Sequence, residues 1–220
     1  MKYIHFLIIL FLCSCSAIDS GRIAPGYAQA YTAIKNALVG YENNLLTQEL
    51  INEIPYASAV LKIGKGPEGL IILESINDIN STWVSADGVY LTIQNGKIVR
   101  TEGLPNNLTN FIHPFKSNFP GNINSDVNMH YFYFYYSYDK PFLSDLRVEA
   151  RLENKGREVV QVFQKDMELT LIEEKIENKS IRWKATNKYW VDDSNFVWRS
   201  EQSISPKLPK LILEVTKKPS

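Results

Sequence analysis

The sequence predicts an all-β fold, a large antiparallel meander forming a sandwich or partly open barrel, with one N-terminal helix. Strand-like apolar runs follow one another from residue 50 onward, and turn residues separate them at short, regular intervals. Aromatic residues make up 12% of the chain and include twelve tyrosines, which favour strands over helices. At 220 residues with 45% hydrophobic content, the chain is long enough for one domain with a substantial core.

Residues 1–14 have the pattern of a lipoprotein signal peptide. A short basic start precedes the apolar run Ile4 to Leu12, which is too short to span a bilayer, since a spanning helix needs about 20 apolar residues. Leu12-Cys13-Ser14-Cys15 fits a bacterial lipobox in which Cys15 is acylated. Cys13 does not fit, because Leu12 would then stand where a small residue is needed. The alternative is an ordinary secretory signal with incidental cysteines.

The lipobox predicts a lipid anchor and a location. An acylated Cys15 carrying several acyl chains would hold the protein on a lipid bilayer, whereas one chain anchors only reversibly. Ser16 follows it rather than the aspartate that retains many lipoproteins in the inner membrane, so we expect the periplasmic face of the outer membrane. Residues 15–26 are interpreted as a lipidated tether and residues 27–220 as a single β-rich domain.

Charge and cysteine content exclude other classes of protein. Lysine plus arginine equals aspartate plus glutamate at 24 each, so the chain has no basic field to hold nucleic acid. Both cysteines lie in the lipobox, so we expect the domain to fold without a disulfide and without a cysteine-ligated metal.

Tyr27 to Leu46 is predicted to be a helix. Tyr31, Ile34, Leu38 and Tyr41 recur at three- and four-residue spacing, which is typical of one apolar helix face. Its polar face carries few basic residues, so packing on the sheet is favoured over lying on a membrane surface.

Thr82 to Leu104 is predicted to form two consecutive hairpins with two-residue type I′ turns at Asp87-Gly88 and Asn95-Gly96. Such turns would set Ala86 opposite Val89 and Gln94 opposite Lys97. The predicted core-facing residues of the hairpins are Val84, Ala86, Val89, Leu91, Ile93 and Ile98.

The second half of the chain continues the strand pattern. Pro105 to Asp126 is predicted to be a mobile or partner-facing connection, because it is rich in proline and asparagine. Met129 to Tyr138 is aromatic on both faces, which indicates a strand buried on both sides or a platform that stacks sugar rings. Leu146 to Glu153 alternates cleanly, and Asn154-Lys155-Gly156 is predicted to turn it into a further strand, Glu158 to Gln164. The remaining predicted strands are Met167 to Ile172, Ile181 to Thr186, Phe196 to Ile204 and Leu211 to Val215.

Several short blocks of the sequence carry a family resemblance. They are Ile54-Pro55-Tyr56-Ala57-Ser58, Gly64-Lys65-Gly66-Pro67-Glu68, Asn95-Gly96-Lys97-Ile98-Val99-Arg100-Thr101 with Gly103-Leu104-Pro105, Asn187-Lys188-Tyr189-Trp190-Val191-Asp192, and Phe196-Val197-Trp198-Arg199-Ser200 with Gln202 and Ser205-Pro206. In order and spacing these blocks resemble the group 4 capsule polysaccharide lipoprotein family, the GfcB/YjbF lipoproteins, over essentially the whole mature chain. The resemblance implies a β-barrel and a non-enzymatic component of capsule or exopolysaccharide secretion at the outer membrane. It also implies work beside an outer-membrane barrel or export proteins.

Candidate catalytic residues are few. His113 and His130 have no second ligand at metal spacing, so we expect no metal site and no cofactor. Asp192-Asp193 beside Trp190 and Trp198 would be the best carboxylate pair for a polysaccharide-cleaving enzyme. The same residues, with Ser194 and Asn195 after them, also spell a polar turn between two strands, and this interpretation is favoured.

The sequence therefore predicts an accessory lipoprotein with no catalytic residues. A periplasmic glycan-binding module is the alternative, and a polysaccharide-cleaving enzyme ranks last. The candidate glycan or partner contacts are Trp190, Trp198, Tyr131, Tyr133 and Tyr135.

Overall fold

The computed structural model describes residues 46–113 and 129–219, and in this part of the chain it contains one helix, α1 (Gln48–Glu53), and twelve strands. The strands are β1 (Ser58–Ile63), β2 (Glu68–Asn77), β3 (Asn80–Ser85), β4 (Tyr90–Gln94), β5 (Lys97–Glu102), β6 (Leu108–Ile112), β7 (Met129–Tyr138), β8 (Leu143–Val162), β9 (Lys165–Asn178), β10 (Trp183–Val191), β11 (Val197–Gln202) and β12 (Leu211–Lys217). The signal peptide, Cys15, the tether, most of the predicted helix and residues 114–126 of the long connection lie outside the described residues.

All twelve strands form one antiparallel sheet in the order β5-β4-β3-β2-β1-β12-β11-β10-β9-β8-β7-β6. The first and last of the described strands, β1 and β12, pair in the middle of the sheet, so its two edges are the sequence neighbours β5 and β6. These edges meet through a side chain, because the Leu108 N–H on β6 donates to Thr101 Oγ1 on β5 at 2.9 Å. In the connection between the two strands, the Leu104 N–H donates to Asn107 Oδ1 at 2.9 Å. The sheet is therefore nearly closed and barrel-like, which confirms the predicted fold class.

Large side chains fill the interior. About eight strands give a barrel just wide enough for ordinary side chains to fill, so twelve strands need bulkier ones. Aromatic residues supply much of this volume in the main core, where Trp83, Phe134, Tyr136, Tyr138 and Trp183 are all buried.

The side chains of β7 alternate between two faces of the sheet. Phe134, Tyr136 and Tyr138 face the core, and the opposite face carries Tyr131, Tyr133 and Tyr135. The prediction that this strand is buried on both faces is wrong for the outer face, where Tyr131 is 72% exposed.

One of the two predicted hairpin turns has a different length. Asn95 and Gly96 both have positive φ, and Gln94 pairs with Lys97, which confirms the type I′ turn. At the first turn Val84 pairs with Tyr90 and the Ser85 N–H donates to the Val89 carbonyl at 2.9 Å. The loop therefore has three residues, 86–88, and Ala86 does not pair with Val89. The Ser85 hydroxyl bonds Asp87 and accepts from the Val89 N–H at 2.9 Å, which stabilises the longer loop. The one-residue shift places Trp83 rather than Val84 beside Leu91 in the main core.

The predicted turn at Asn154-Lys155-Gly156 is also wrong, because β8 runs through it as one strand of 20 residues. The register shifts between Asn154 and Gly156, and Gly156 has φ +89, so the segment is a β-bulge that bends the strand. Beyond the bulge, β8 and β9 form a hairpin arm, residues 157–170, that folds over the outer face of β10 to β12. There the Phe163 N–H donates to Glu214 at 2.8 Å, and Arg199 donates to the Gln161 carbonyl at 2.9 Å.

The helix α1 packs outside the sheet. Thr47 caps its first turn by accepting from the Leu50 N–H, and Ile51 and Ile54 contact Val60 and the arm residue Phe163 in a small apolar cluster. Within the described ranges, no helix is long and apolar enough to cross a membrane.

Candidate functional site

Several of the sequence blocks named above meet at a buried carboxylate. Glu174, on β9, is fully buried, and its two oxygens accept hydrogen bonds from the Lys97 ammonium at 2.7 and 2.8 Å. Its Oε2 atom also accepts from the Asn187 amide at 2.8 Å and from the Tyr189 hydroxyl at 3.0 Å. One cation and two neutral donors thus surround the carboxylate.

Gln202 extends this network to the turn between β4 and β5. Its side-chain oxygen accepts from the Ile98 N–H at 2.9 Å, and its amide donates to the Gly96 carbonyl at 2.8 Å and to Ser200 Oγ at 2.9 Å. Because β5 and β11 are not neighbours in the sheet, Gln202 links strands that backbone pairing leaves separate. We call Lys97, Glu174, Asn187, Tyr189 and Gln202 the buried polar network.

The electrostatics of the network identify a structural role. Burial lowers the pKa of Lys97, although the charge of Glu174 acts in the opposite direction. The Lys97 ammonium also lies 4.5 Å from the centroid of the Phe134 ring, a cation–π contact. Both Glu174 oxygens are occupied by protein donors, so the carboxylate holds the strands together rather than facing a ligand.

The sequence analysis gave none of Lys97, Asn187, Tyr189 and Gln202 a role in a site: all four stand in the family blocks, and Lys97 is also the predicted hairpin partner of Gln94. It missed Glu174. The available signal was the alternation Ile172, Glu174, Ile176, in which a single charge occupies a core-facing position of a strand. A charge at such a position requires a buried partner.

Asp192 and Asp193 form the predicted polar turn. Asp192 Oδ1 accepts from the Ser194 N–H at 2.8 Å and from the Phe196 N–H at 2.9 Å, while Oδ2 accepts from the Trp198 indole at 2.9 Å. Partial burial raises the pKa of Asp192, but these hydrogen bonds outweigh it and lower the pKa below its ordinary value. A glycosidase acid needs a raised pKa, so Asp192 has the opposite property. Asp193 is exposed and pairs with Arg157 at 3.0 Å.

The two candidate tryptophans occupy different environments. Trp190 is only 5% exposed, because it lies under the hairpin arm, where its indole N–H donates to Glu158 at 2.6 Å. The Arg199 guanidinium lies 5.2 Å from the centroid of its ring. Trp190 therefore offers no free face to a glycan in this structure, whereas Trp198 is half-buried and lines a pocket.

The three candidate tyrosines lie on the outer face of β7, and we call them the tyrosine strip. Tyr133 and Tyr135 pack edge to face with ring centroids 5.8 Å apart, and the Arg147 guanidinium lies 4.7 Å from the Tyr133 centroid. Arg151 lies 5.7 Å from the centroid of Tyr131. The strip is a row of aromatic rings flanked by guanidinium groups.

The histidines contribute no metal site to the described residues. The centroid of the His113 ring lies 5.3 Å from the centroid of the Phe132 ring and 6.2 Å from that of the Phe111 ring. No group of three or more histidine, cysteine, aspartate or glutamate residues in ranges 46–113 and 129–219 could hold a metal ion. The side chain of His130 lies outside what the structure describes.

The nearly closed twelve-stranded sheet with its filled interior defines the class of fold, and comparison with known proteins supplies the family. Residues 31–215 match the family model of group 4 capsule polysaccharide lipoproteins, GfcB and YjbF. The chain belongs to this family of lipoproteins, as the sequence blocks indicated.

Two relatives and one solved structure agree with the family. The chain is 24% identical over 198 residues to the uncharacterized lipoprotein YjbF of Escherichia coli (strain K12), covering 89% of this chain and 88% of that protein. It is 24% identical over 99 residues to the uncharacterized lipoprotein GfcB of the same strain, covering 45% of this chain and 42% of that protein. The crystal structure of the hypothetical lipoprotein YmcC from E. coli K12 superposes with a TM-score of 0.71 at 19% identity, covering 86% of this chain and 96% of that one. The last likeness shows a shared fold.

Proposed function

We propose that this protein is a lipid-anchored accessory component of capsule or exopolysaccharide assembly or export, and that it catalyses no reaction. The observation that carries the proposal is the family match over residues 31–215, whose description is that of capsule polysaccharide lipoproteins. Two site observations support it. The carboxylates of Glu174 and Asp192 are both occupied by protein donors, and the pKa of Asp192 is lowered.

The proposed anchor is Cys15, and the proposed location is the periplasmic face of the outer membrane. The support is the lipobox ending at Cys15 and the serine that follows it. From this position the domain would contact an outer-membrane barrel or other export proteins, and these are its proposed partners.

Paired cysteine substitutions test the anchor. Cys15→Ala should leave the domain folded, remove the protein from the outer-membrane fraction and abolish polysaccharide export. Cys13→Ala is the matched control, because Cys13 would leave with the signal peptide and its loss should change neither property. Normal export with a soluble Cys15→Ala protein would show that anchoring is not needed and would contradict the proposal.

A second candidate function, glycan binding, is favoured by the tyrosine strip. Aromatic faces stack on the apolar faces of sugars, and Arg147 and Arg151 add hydrogen-bond donors beside the rings. We expect the double variant Tyr131→Ala/Tyr135→Ala to migrate faster than wild type in gels containing the host polysaccharide. Phe142→Ala is the matched control, because Phe142 is an exposed aromatic residue, 81% exposed, outside the strip. If the polysaccharide retards the wild type, the double variant and Phe142→Ala equally, and all three are folded, the tyrosine strip is not a glycan site.

A further inference from the structure

One end of the barrel-like sheet contains a pocket with a volume of about 190 Å³. It lies between the β4–β5 turn, the β10–β11 turn and strand β12, beside the buried polar network. Its walls are mostly aromatic and aliphatic and include Trp83, Phe196 and Trp198. Trp198 is thus brought together with the Asn95-Gly96 turn, although it follows Gly96 by 102 positions in the chain (198 − 96).

The pocket walls are held in place by the protein itself. The Trp198 indole N–H donates to Asp192 at 2.9 Å, and its ring packs edge to face on Phe196 with centroids 5.2 Å apart. The Trp83 indole N–H donates to Ser81 Oγ at 2.9 Å. Because its indole N–H is already bonded, the half-buried Trp198 presents apolar ring surface to the pocket, whereas Trp83 is only 3% exposed and forms its buried inner wall.

The rim carries two exposed carboxamides, Asn95 and Asn195, each fixed in the left-handed region at φ +48 and +64. In the ranges that the structure describes, neither carboxamide has a hydrogen-bond partner, so each can donate and accept toward a ligand. Among the residues that the structure describes, no charged side chain lines the pocket. The Lys218 ammonium lies 4.4 Å from the centroid of the Phe196 ring and is paired with Asp192 at 3.8 Å.

We propose that this pocket binds one neutral sugar ring of a polysaccharide. Aromatic walls suit the apolar face of a pyranose, and two carboxamides suit its hydroxyl groups, which also both donate and accept. An uncharged lining gives no partner to a uronate carboxylate, which would lose its hydration there. The volume is below the roughly 300 to 1,000 Å³ of a drug-sized ligand site, which fits a single ring. The inference rests on the proposed function, because that proposal brings the protein to a polysaccharide.

Glycine substitutions give a clean test, since Asn95→Gly and Asn195→Gly remove the carboxamides while keeping the positive φ that each turn needs. Arg182→Gly is the matched control, because Arg182 is also exposed with a positive φ of 54 and lies in the turn at the opposite end of β10. The full lipidated chain, in a detergent without a sugar headgroup, would be titrated with the methyl glycosides of glucose, galactose and mannose. Methyl glucuronide would serve as the charged comparison. Tryptophan fluorescence reports directly, because two of the four tryptophans line the pocket.

We expect saturable binding of at least one neutral glycoside to the wild type and to Arg182→Gly. Binding to the Asn95→Gly/Asn195→Gly variant should be about tenfold weaker, the effect of losing two neutral hydrogen bonds. No binding of any of the three glycosides to the wild type, equal binding to the double variant, or preferential binding of the glucuronide would overturn the inference.

A strain in which the gene is deleted, studied beside the glycoside titrations, separates this inference from the proposed function. If deletion of the gene abolishes polysaccharide export but no neutral glycoside binds, the pocket inference fails and the proposed function stands. If a neutral glycoside binds as expected but the deletion strain exports normally, the proposed function fails and the pocket remains a sugar site.

Discussion

Removing the charge of Lys97 should destabilise the fold strongly. In Lys97→Met the apolar side chain can still pack on the Phe134 ring, but the Glu174 carboxylate keeps only the neutral donors Asn187 and Tyr189. Because Glu174 is fully buried, its uncompensated charge should cost about 3 to 5 kcal/mol of unfolding free energy. That is a large share of the roughly 5 to 15 kcal/mol that stabilises a typical domain.

The reverse change and the double variant isolate the interaction. Glu174→Gln should also destabilise, because it leaves the Lys97 ammonium buried without a counter-charge. In Lys97→Met/Glu174→Gln no charge remains buried, so the loss should be smaller than the sum of the two single losses by about 2 kcal/mol or more. Urea unfolding followed by circular dichroism at pH 7 measures all four proteins.

An exposed ion pair provides the control for this cycle. Arg147 and Glu149 lie 2.9 Å apart with side chains about half exposed, at 53% and 46%, so Glu149→Gln should cost about 1 kcal/mol or less. A Lys97→Met variant that loses less than about 1 kcal/mol, or single losses that simply add, would refute the reasoning that the buried pair is electrostatically coupled.

Three further predictions concern turns and buried hydroxyls. Gly96→Ala should cost several kcal/mol more than Gly88→Ala by urea unfolding, because both have positive φ but only at Gly96 would a Cβ lie 2.2 Å from Val197; equal losses would contradict the close contact. Asp192→Ala should lose about 1 to 3 kcal/mol with its turn hydrogen bonds, whereas the exposed Asp193→Ala should lose less than about 1 kcal/mol; the reverse order would be evidence against a structural Asp192. Burial raises the pKa of Tyr138, so above the unfolded value of about 10 the folded state keeps a proton that the unfolded state loses. Unfolding free energy should therefore fall as pH rises from 11 to 12, and Tyr138→Phe should make that slope shallower by about 1.4 kcal/mol per pH unit; an unchanged slope would show that the hydroxyl ionises in the folded state.

The local turn chemistry was predictable where backbone preference alone decides it. Asn95-Gly96 is the type I′ turn that both residues favour, and its register follows. At Asp87-Gly88 the side chain of Ser85 competes by bonding the Val89 N–H, which lengthens the loop and reverses the strand face. The local sequence does not reveal whether the backbone preference for a two-residue turn or the side-chain hydrogen bond of Ser85 determines the loop length.

Features that depend on distant contacts were not predictable from the sequence. Asn154-Lys155-Gly156 has turn composition, yet it forms a bulge in a continuous strand whose arm covers Trp190. The burial of that tryptophan depends on the arm reaching β10 to β12, which no residue spacing encodes. Glu174 was missed for the same reason, since its partner Lys97 is 77 residues away.

The most direct test of the proposed function is whether the protein changes a polysaccharide chemically. The full lipidated chain would be incubated for a day with purified extracellular polysaccharide from its host, and chain length and reducing ends would be followed. We predict unchanged chain length and no new reducing ends, with Asp192→Ala indistinguishable from the wild type. If the wild type shortens the polysaccharide while Asp192→Ala leaves it at full length, the account is contradicted and the protein is a polysaccharide-cleaving enzyme.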